Sequence, residues 1–331
     1  MDLGGGARIL VTGGAGFLGS ALADALLALG CRVVVLDDLS NGLADNLPIG
    51  GDDRVILRVA KVGDPAAAEL VEKEVARADG VFHLASPIGV LRAHAERLAV
   101  TRSILAAGLA VVDACRRHRK PLLYTSSSEV YGPGQLARIG EDSPVLFDLR
   151  PRWGYAASKA AVEHLVAGMH ADESVPAWIV RPFNMSGARQ RPTTGQVIPL
   201  FVDAALRGEA LVIHDDGEQQ RAFLHVEDAV AGLLSIARCA DLRGRPVNLG
   251  GEEPVRIIDL AVMVQKAMGR PVAMVNRPSA AVFGEGFAVT RDRIPDTGLL
   301  RQATGWRPHR PVQHIVDDCV QHLRAQQAVA A

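Results

Sequence analysis

Six short apolar runs, ARILVTG, CRVVVLDD, RVILRVA, GVFHLAS, KPLLYTSS and PAWIVRPFN, recur through the first half of the chain with helical segments between them. Their apolarity is continuous rather than alternating. Each therefore reads as a strand buried on both faces, and such strands belong to a parallel sheet sandwiched by helices. FLGSALADALLALG follows the first run with a helical pattern that Gly30 ends, since glycine takes the left-handed C-cap conformation without strain. After about Asn184 the rhythm loosens. QVIPLFVDAALRG, EDAVAGLLSIARCA and IIDLAVMVQKAMG read as helices, and ALVIHD and RAFLHV as strands. The expected organisation is α/β, with a first domain over residues 1–184 and a smaller mixed α/β lobe over 185–331, some of whose segments return to the first domain. A ligand cleft is expected between the second lobe and the carboxyl ends of the parallel strands.

At 331 residues, 48% apolar and 22% charged, the chain has material for a sizeable core. Its formal net charge is −1, and the one basic run, RRHRK at 116–120, reads as the solvated end of a helix. This gives no electrostatic footprint for nucleic acid or anionic lipid. MDLGGGARILVTGG lacks a basic region followed by an apolar run, and no segment reads as long enough to span a bilayer, so a cytoplasmic protein with no nucleic-acid or membrane partner is expected. Cys31, Cys115, Cys239 and Cys319 are widely spaced and read as buried reduced thiols rather than metal ligands or disulfides.

VTGGAGFLGS places Gly13, Gly16 and Gly19 between the first strand and the first helix. Glycines there allow a tight turn, close approach of backbone to a pyrophosphate and close helix packing, while the helix N-terminus attracts the phosphate charge. Asp37 ends the second strand about 20 residues on, where an acid binds adenosine ribose hydroxyls and repels a 2′-phosphate, so NAD is expected over NADP. The doubly wound sheet is thus of the Rossmann type. YAASK sets Tyr155 and Lys159 one helical turn apart on one face. For that tyrosine to act as a base at neutral pH, its pKa must fall from about 10 by roughly three units. Lys159 and a positive nicotinamide ring are the expected sources. TSSSE emerges from the fifth strand directly at the expected cleft.

Together the G-x-x-G-x-x-G spacing, the serine run and Tyr-x-x-x-Lys resemble the extended short-chain dehydrogenase/reductases, the NAD-dependent nucleotide-sugar epimerase/dehydratase family, over nearly the full length. The nearest pattern is that of the UDP-glucuronate decarboxylases, whose Thr-Ser-Glu-Val-Tyr-Gly is similar to Ser127–Gly132 here. RWGYAASK, RPFN and FGEGFAVTRDRIPD (Phe283–Asp296) also resemble decarboxylase segments. The 4,6-dehydratases carry Thr-Asp-Glu, and the aspartic acid of that triplet is absent. By this resemblance Ser127 bonds the sugar 4-hydroxyl, Tyr155 and Lys159 are catalytic, and Arg293 acts at a carboxylate or as proton donor; Glu129, also expected to be catalytic, would beside that carboxylate either be protonated or raise the energy of the charged ground state. The resemblance further implies that NAD lies along Gly13, Gly16, Phe17, Leu18, Gly19, Asp37, Asp38, Asn41, Lys61, Val62, Leu84, Ala85 and Ser86. A UDP-sugar would meet Pro87, Ser128, Asn184, Arg189, Val197, Arg221 and Arg293, with Asn184 and Arg221 on the diphosphate and TGQVIP against the uridine. The same resemblance implies a homodimer formed by the helix over about 93–117 and the helix carrying Tyr155. Two positions depart from the decarboxylase pattern: Phe287 replaces a tyrosine, and Lys61-Val62 replaces an acid-apolar pair.

Other readings stand beside these. Arg221 and Arg293 are alternatively surface ion-pair partners, Glu129 a turn residue, and His83 a structural histidine. His214 and His225 lack a paired ligand, and no metal is assigned. A UDP-glucuronate or UDP-hexose 4-epimerase would use the same motifs, and a catalytically inert NAD-binding regulator would need fewer of them.

Overall fold

The computed structural model describes residues 1–87, 89, 95–133, 138–283 and 292–330. Strands β1 (Arg8–Thr12), β2 (Arg32–Asp37), β3 (Val55–Val59), β4 (Gly80–His83), β5 (Leu122–Thr125) and β6 (Ala177–Pro182) form the parallel sheet the apolar runs predict. In the second half come β7 (Met185–Ser186), β8 (Leu211–His214), β9 (Gln220–Ala222), β10 (Leu224–His225), β11 (Pro246–Leu249), β12 (Pro254–Arg256) and β13 (Met274–Arg277). Strand β11 returns to pair with β6, so the seven-stranded order is β11-β6-β5-β4-β1-β2-β3. The chain runs outward from β1 through β3, then restarts at β4 on the other side of β1. The carboxyl ends of β1 and β4 therefore frame the switch point at which such sheets bind ligands.

Alternate residues of each strand serve opposite faces. Ile9, Val11, Val33, Val35, Phe82 and Trp178 pack under α1 (Phe17–Ala28) and a later helix, Val226–Arg238. Leu10, Val34, Leu36, Val81, Leu122 and Ile179 pack under α2 (Ala68–Arg77), α3 (Arg97–Arg117) and α4 (Gly154–Glu173). Burying each such side chain contributes about 1.5–3 kcal/mol. Strand β3 departs from the expected two-sided burial: it lies at the sheet edge, where Val55 is buried but Val59 is 63% exposed. The expected strand RAFLHV is interrupted at Phe223, with β9 pairing antiparallel to β12 and β10 parallel to β7. Gly30 has φ +82° just beyond α1, as its C-cap role requires.

Helix α3 also corrects an expectation. Its 21 residues are long and apolar enough, by length and composition, to cross a membrane. Here Val100, Ile104, Val111 and Cys115 fill the core under the sheet, which accounts for one apolar face of the helix. Of the cysteines, Cys31, Cys115 and Cys319 are buried and Cys239 is half-buried, and all four are free thiols. The second lobe packs α5 (Val197–Arg207), α6 (Val226–Arg238, which covers the first sheet), α7 (Ile257–Met268), α8 (Ser279–Phe283), α9 (Gly298–Thr304) and α10 (Val312–Ala330) in chain order. Helices α5, α7 and α10 share a core built on Phe201, Leu260, Val264, Ile315 and Val316.

Candidate active site

The glycine turn is built for close approach. Gly13 has φ +70°, and a Cβ there would lie 2.8 Å from Ala85 Cα. A Cβ on Gly19 would lie 2.1 Å from the Gly13 carbonyl, so only glycine lets α1 settle onto the turn. Gly16 is the N-cap of α1 and provides no side-chain cap, which leaves the first helical turn shaped for an anion. Asp37 closes this end: its Oδ2 accepts from Ala15 N at 3.0 Å and its Oδ1 from Leu39 N at 2.8 Å. Burial raises the Asp37 pKa, and the two backbone donors work against that rise. A cavity of about 130 Å³ opens here. Asp37, Asp38, Asn41, Lys61, Val62, Leu84, Ala85, Ser86 and Pro87 line it with Gly13 and Gly16. Pro87, expected on the substrate, thus stands among the cofactor positions.

A larger cleft of about 450 Å³ adjoins it, reached by Phe17, Leu18 and Gly19 from one side and by Ser127, Ser128, Glu129, Tyr155, Lys159, Asn184, Arg189, Val197, Arg221 and Arg293 from the others. The buried Ser126 Oγ, on the wall of this cleft, has no hydrogen-bond partner in the protein. A buried hydroxyl without a partner is costly unless a ligand satisfies it. These features fit a dinucleotide in the smaller cavity with its reactive end in the larger cleft.

Ser127 leaves β5 in extended conformation, and its Oγ accepts from Glu129 N at 3.1 Å, capping the short turn Ser128–Tyr131. The Tyr155 phenol is influenced by the hydroxyls of Ser127 and Ser86. Burial nevertheless pushes its pKa up to about 12; the Ser127 bond lowers it, Glu129 raises it and the Ser86 bond lowers it. Lys159 Nζ donates to Thr125 O at 2.9 Å and lies 6.0 Å from the Tyr155 ring centroid. Burial brings Lys159 down to about 7, against the raising influence of Glu163. The lowering expected for Tyr155 is therefore not supplied by the protein's own groups: desolvation dominates, and the lysine is spent on a backbone carbonyl.

Arg293 and Glu129 form an ion pair. Arg293 is buried, and its Nη2 also donates to Gly132 O at 3.2 Å. Its backbone bridges to Arg221, whose Nη1 donates to Gln220 O at 2.7 Å. Burial, then the charge of Arg293, brings Arg221 down to about 10. Arg152 Nη2 approaches the other oxygen, Glu129 Oε2, at 3.8 Å. Burial opposes ionisation of Glu129, but Arg293 and Arg152 outweigh it and hold the carboxyl below its ordinary range. Glu129 is thus a charged carboxylate facing a surplus of guanidinium. The surface ion-pair alternative for Arg293 and the plain-turn alternative for Glu129 give way to this arrangement.

Other positions are less direct. Arg189 is tied to Asp24 of α1 at 2.7 Å, and Asn184 Nδ2 donates to Ala222 O at 3.4 Å. His83 bonds Thr12 Oγ1 at 2.7 Å, and burial lowers it to about 3, a structural role. His225 bonds Asp318 at 2.7 Å and caps α6, while His214 lines the cleft. Phe287 lies outside the described residues. Sequence reasoning missed Ser126 and Arg152. The first was the unremarked leader of a serine run; the second stood in RWGYAASK with no signal that it faces Glu129.

A model described as the NAD dependent epimerase/dehydratase family matches residues 9–250. A UDP-N-acetyl-alpha-D-glucosaminuronate decarboxylase of Bacillus cytotoxicus is 30% identical over 96% of this chain and 98% of its own length. UDP-glucuronic acid decarboxylase 1 of Danio rerio is 29% identical over 96% of this chain and 72% of its own length. A UDP-N-acetylglucosamine 4-epimerase from Methanobrevibacter ruminantium, solved with UDP-N-acetylmuramic acid, superposes with a TM-score of 0.87 at 26% identity, covering 97% of this chain and 99% of that one.

Proposed function

The chain belongs to the NAD-dependent epimerase/dehydratase family, and on that premise we propose that it is a UDP-glucuronate decarboxylase working through a 4-keto sugar. The observation that carries the reading is the Glu129–Arg293 pair, with Arg221 beside it, on the wall of the cleft that also holds Ser127 and Tyr155. The decarboxylase names of two relatives support it.

Gly13, Gly16, Gly19 and Asp37 would hold NAD, which when bound supplies the hydride acceptor for C4 of the sugar and gives the hydride back. Tyr155 takes the proton of the 4-hydroxyl. Its phenol needs the lowering that a nearby positive charge provides, since burial alone holds it up at about 12. Oxidation at C4 makes the C6 carboxylate that of a β-keto acid. The C5–C6 bond then breaks, CO2 leaves, and the electron pair passes into an enolate whose oxygen Ser127 and Tyr155 hold. Glu129, charged beside the substrate carboxylate, raises the energy of the charged ground state, and loss of CO2 relieves the repulsion. Arg293 meets the substrate carboxylate and, once CO2 has left, orients a water that gives its proton to C5; the returned hydride, with the proton Tyr155 hands back to the C4 oxygen, gives a UDP-pentose.

A 4-epimerase shares every step up to the ketone, and the solved relative bearing that name keeps this reading in view. Glu129→Ala separates them. In a decarboxylase it slows carbon dioxide loss more than the first hydride transfer, so NADH absorbance builds up or product partitions toward a 4-epimer. An unchanged product identity, with only weaker binding, is the epimerase result.

A further inference from the structure

Glu129 meets two guanidiniums, one at each oxygen: Arg293 at Oε1 and Arg152 Nη2 at Oε2, 3.8 Å away. The two arginines differ in what else they face. Among the described residues Arg293 lines the cleft, where a substrate anion competes for it, and Arg152 is outside that lining. Arg152 belongs to the turn Pro151–Trp153 that leads directly into α4, and its guanidinium stacks 4.3 Å from the centroid of the buried Trp153 ring. That stack fixes the plane and direction of the group in a way a lysine ammonium cannot reproduce.

We propose that Arg152 is a positioning residue, a fixed counter-charge that keeps Glu129 ionised and aimed at the cleft when Arg293 turns to a substrate carboxylate. The inference rests on the decarboxylase reading. Without a second cation, Glu129 would lose its main partner at the moment the substrate's own carboxylate arrives, and burial would favour its protonation. A protonated Glu129 exerts no repulsion on the substrate. Among the described residues, the charged or titratable groups facing Glu129 are Arg293, Arg152 from the turn before α4, Arg221 of β9 and the Tyr155 phenol of α4. Among these described cations, Arg293 and Arg221 line the cleft and Arg152 is outside that lining.

The test is a pH profile of turnover of UDP-glucuronate by the full chain with NAD. Glu129 must be ionised, so activity falls as pH drops through its pKa. Arg152→Gln removes a cation and should move this acid limb up by about one unit, which is about a tenfold loss below the limb. KM should stay within about twofold, because Arg152 does not touch substrate. Arg152→Lys, which keeps the charge but loses the stack on Trp153, should restore the limb only in part. In a Glu129→Gln background the Arg152→Gln change should add less than about twofold. Retained NAD binding by each variant, read from quenching of protein fluorescence, checks the fold. An unmoved acid limb in Arg152→Gln, or an equal loss in the Glu129→Gln background, overturns the proposal. Failure of the decarboxylase reading shows separately, as an isomer of unchanged mass from the native protein.

Discussion

Glu129 and Arg293 stand 164 residues apart in the chain and meet as an ion pair on the cleft wall. A buried lattice holds their two segments together. Tyr131, two residues after Glu129, donates to Asn248 Oδ1 at 2.7 Å. The amide of the same asparagine donates to Ile139 O at 2.9 Å and to Asp296 O at 3.2 Å, three residues beyond Arg293. Arg181 joins Tyr131 to Glu163 on α4, one turn beyond Lys159. The pair is therefore built before substrate arrives, as preorganised electrostatics requires.

Removal of the phenol at Tyr155 tests the assigned base. Tyr155→Phe should keep the fold and NAD binding, because only one oxygen is lost, yet substrate should no longer reduce NAD. Absorbance of NADH after mixing with UDP-glucuronate reads this directly. Retention of most of the activity would remove Tyr155 from the role.

Lys159 carries a stability cost in the unliganded protein. Its folded pKa of about 7 lies below the free value of 10.5, so between these pH values the unfolded chain binds more protons and stability rises with pH. Lys159→Met should abolish turnover and yet stabilise the unliganded protein at pH 7 by about 1–3 kcal/mol. That advantage should shrink toward pH 10. Urea titrations of both proteins across this range check it, and an advantage that grows with pH would contradict the account.

Asp37 should govern the choice of dinucleotide. NAD is expected to bind at least about tenfold tighter than NADP, a difference of about 1.4 kcal/mol. Asp37→Ala should narrow the gap, and it should also weaken NAD itself, since Asp37 ties Ala15 and Leu39 of the binding turn. Isothermal titration with both dinucleotides measures the ratio; equal affinities in the native protein would refute the assignment.

Leu98 and Leu109 on α3 are 74% and 47% exposed, and Leu165 on α4 is 37% exposed. A separation of eleven positions puts the first two on one face, about three turns apart. We propose that α3 and α4 pair with a second copy as a four-helix bundle. Light scattering at micromolar concentration should report a dimer, and Leu109→Glu should shift it toward monomer. A native protein that scatters only as monomer would rule the assembly out.

The parallel sheet, the glycine turn and the Tyr155–Lys159 face were legible in the chain because each is local: a run of apolar residues, a spacing, a helical turn. Strand β3 was misjudged because an apolar strand reads the same at an edge as in the centre. Arg152 and the Asn248 lattice were invisible for a different reason. They depend on segments that the fold brings together from far apart, and nothing in RWGYAASK shows that its arginine faces Glu129 rather than solvent. The upward push on Tyr155 in the unliganded protein was invisible likewise, since burial and the Lys159–Thr125 bond exist only once α4 packs on β5.

Loss of the C6 carboxylate is the reaction proposed for this site. Purified protein incubated with NAD and UDP-glucuronate, followed by mass analysis of the nucleotide sugars, tests it most directly. The expected product is a UDP-pentose lighter than the substrate by the mass of carbon dioxide, with transient NADH absorbance. Conversion of UDP-glucuronate solely to an isomer of unchanged mass would contradict it and make the protein a 4-epimerase, with Ser127, Tyr155 and Lys159 in the same roles.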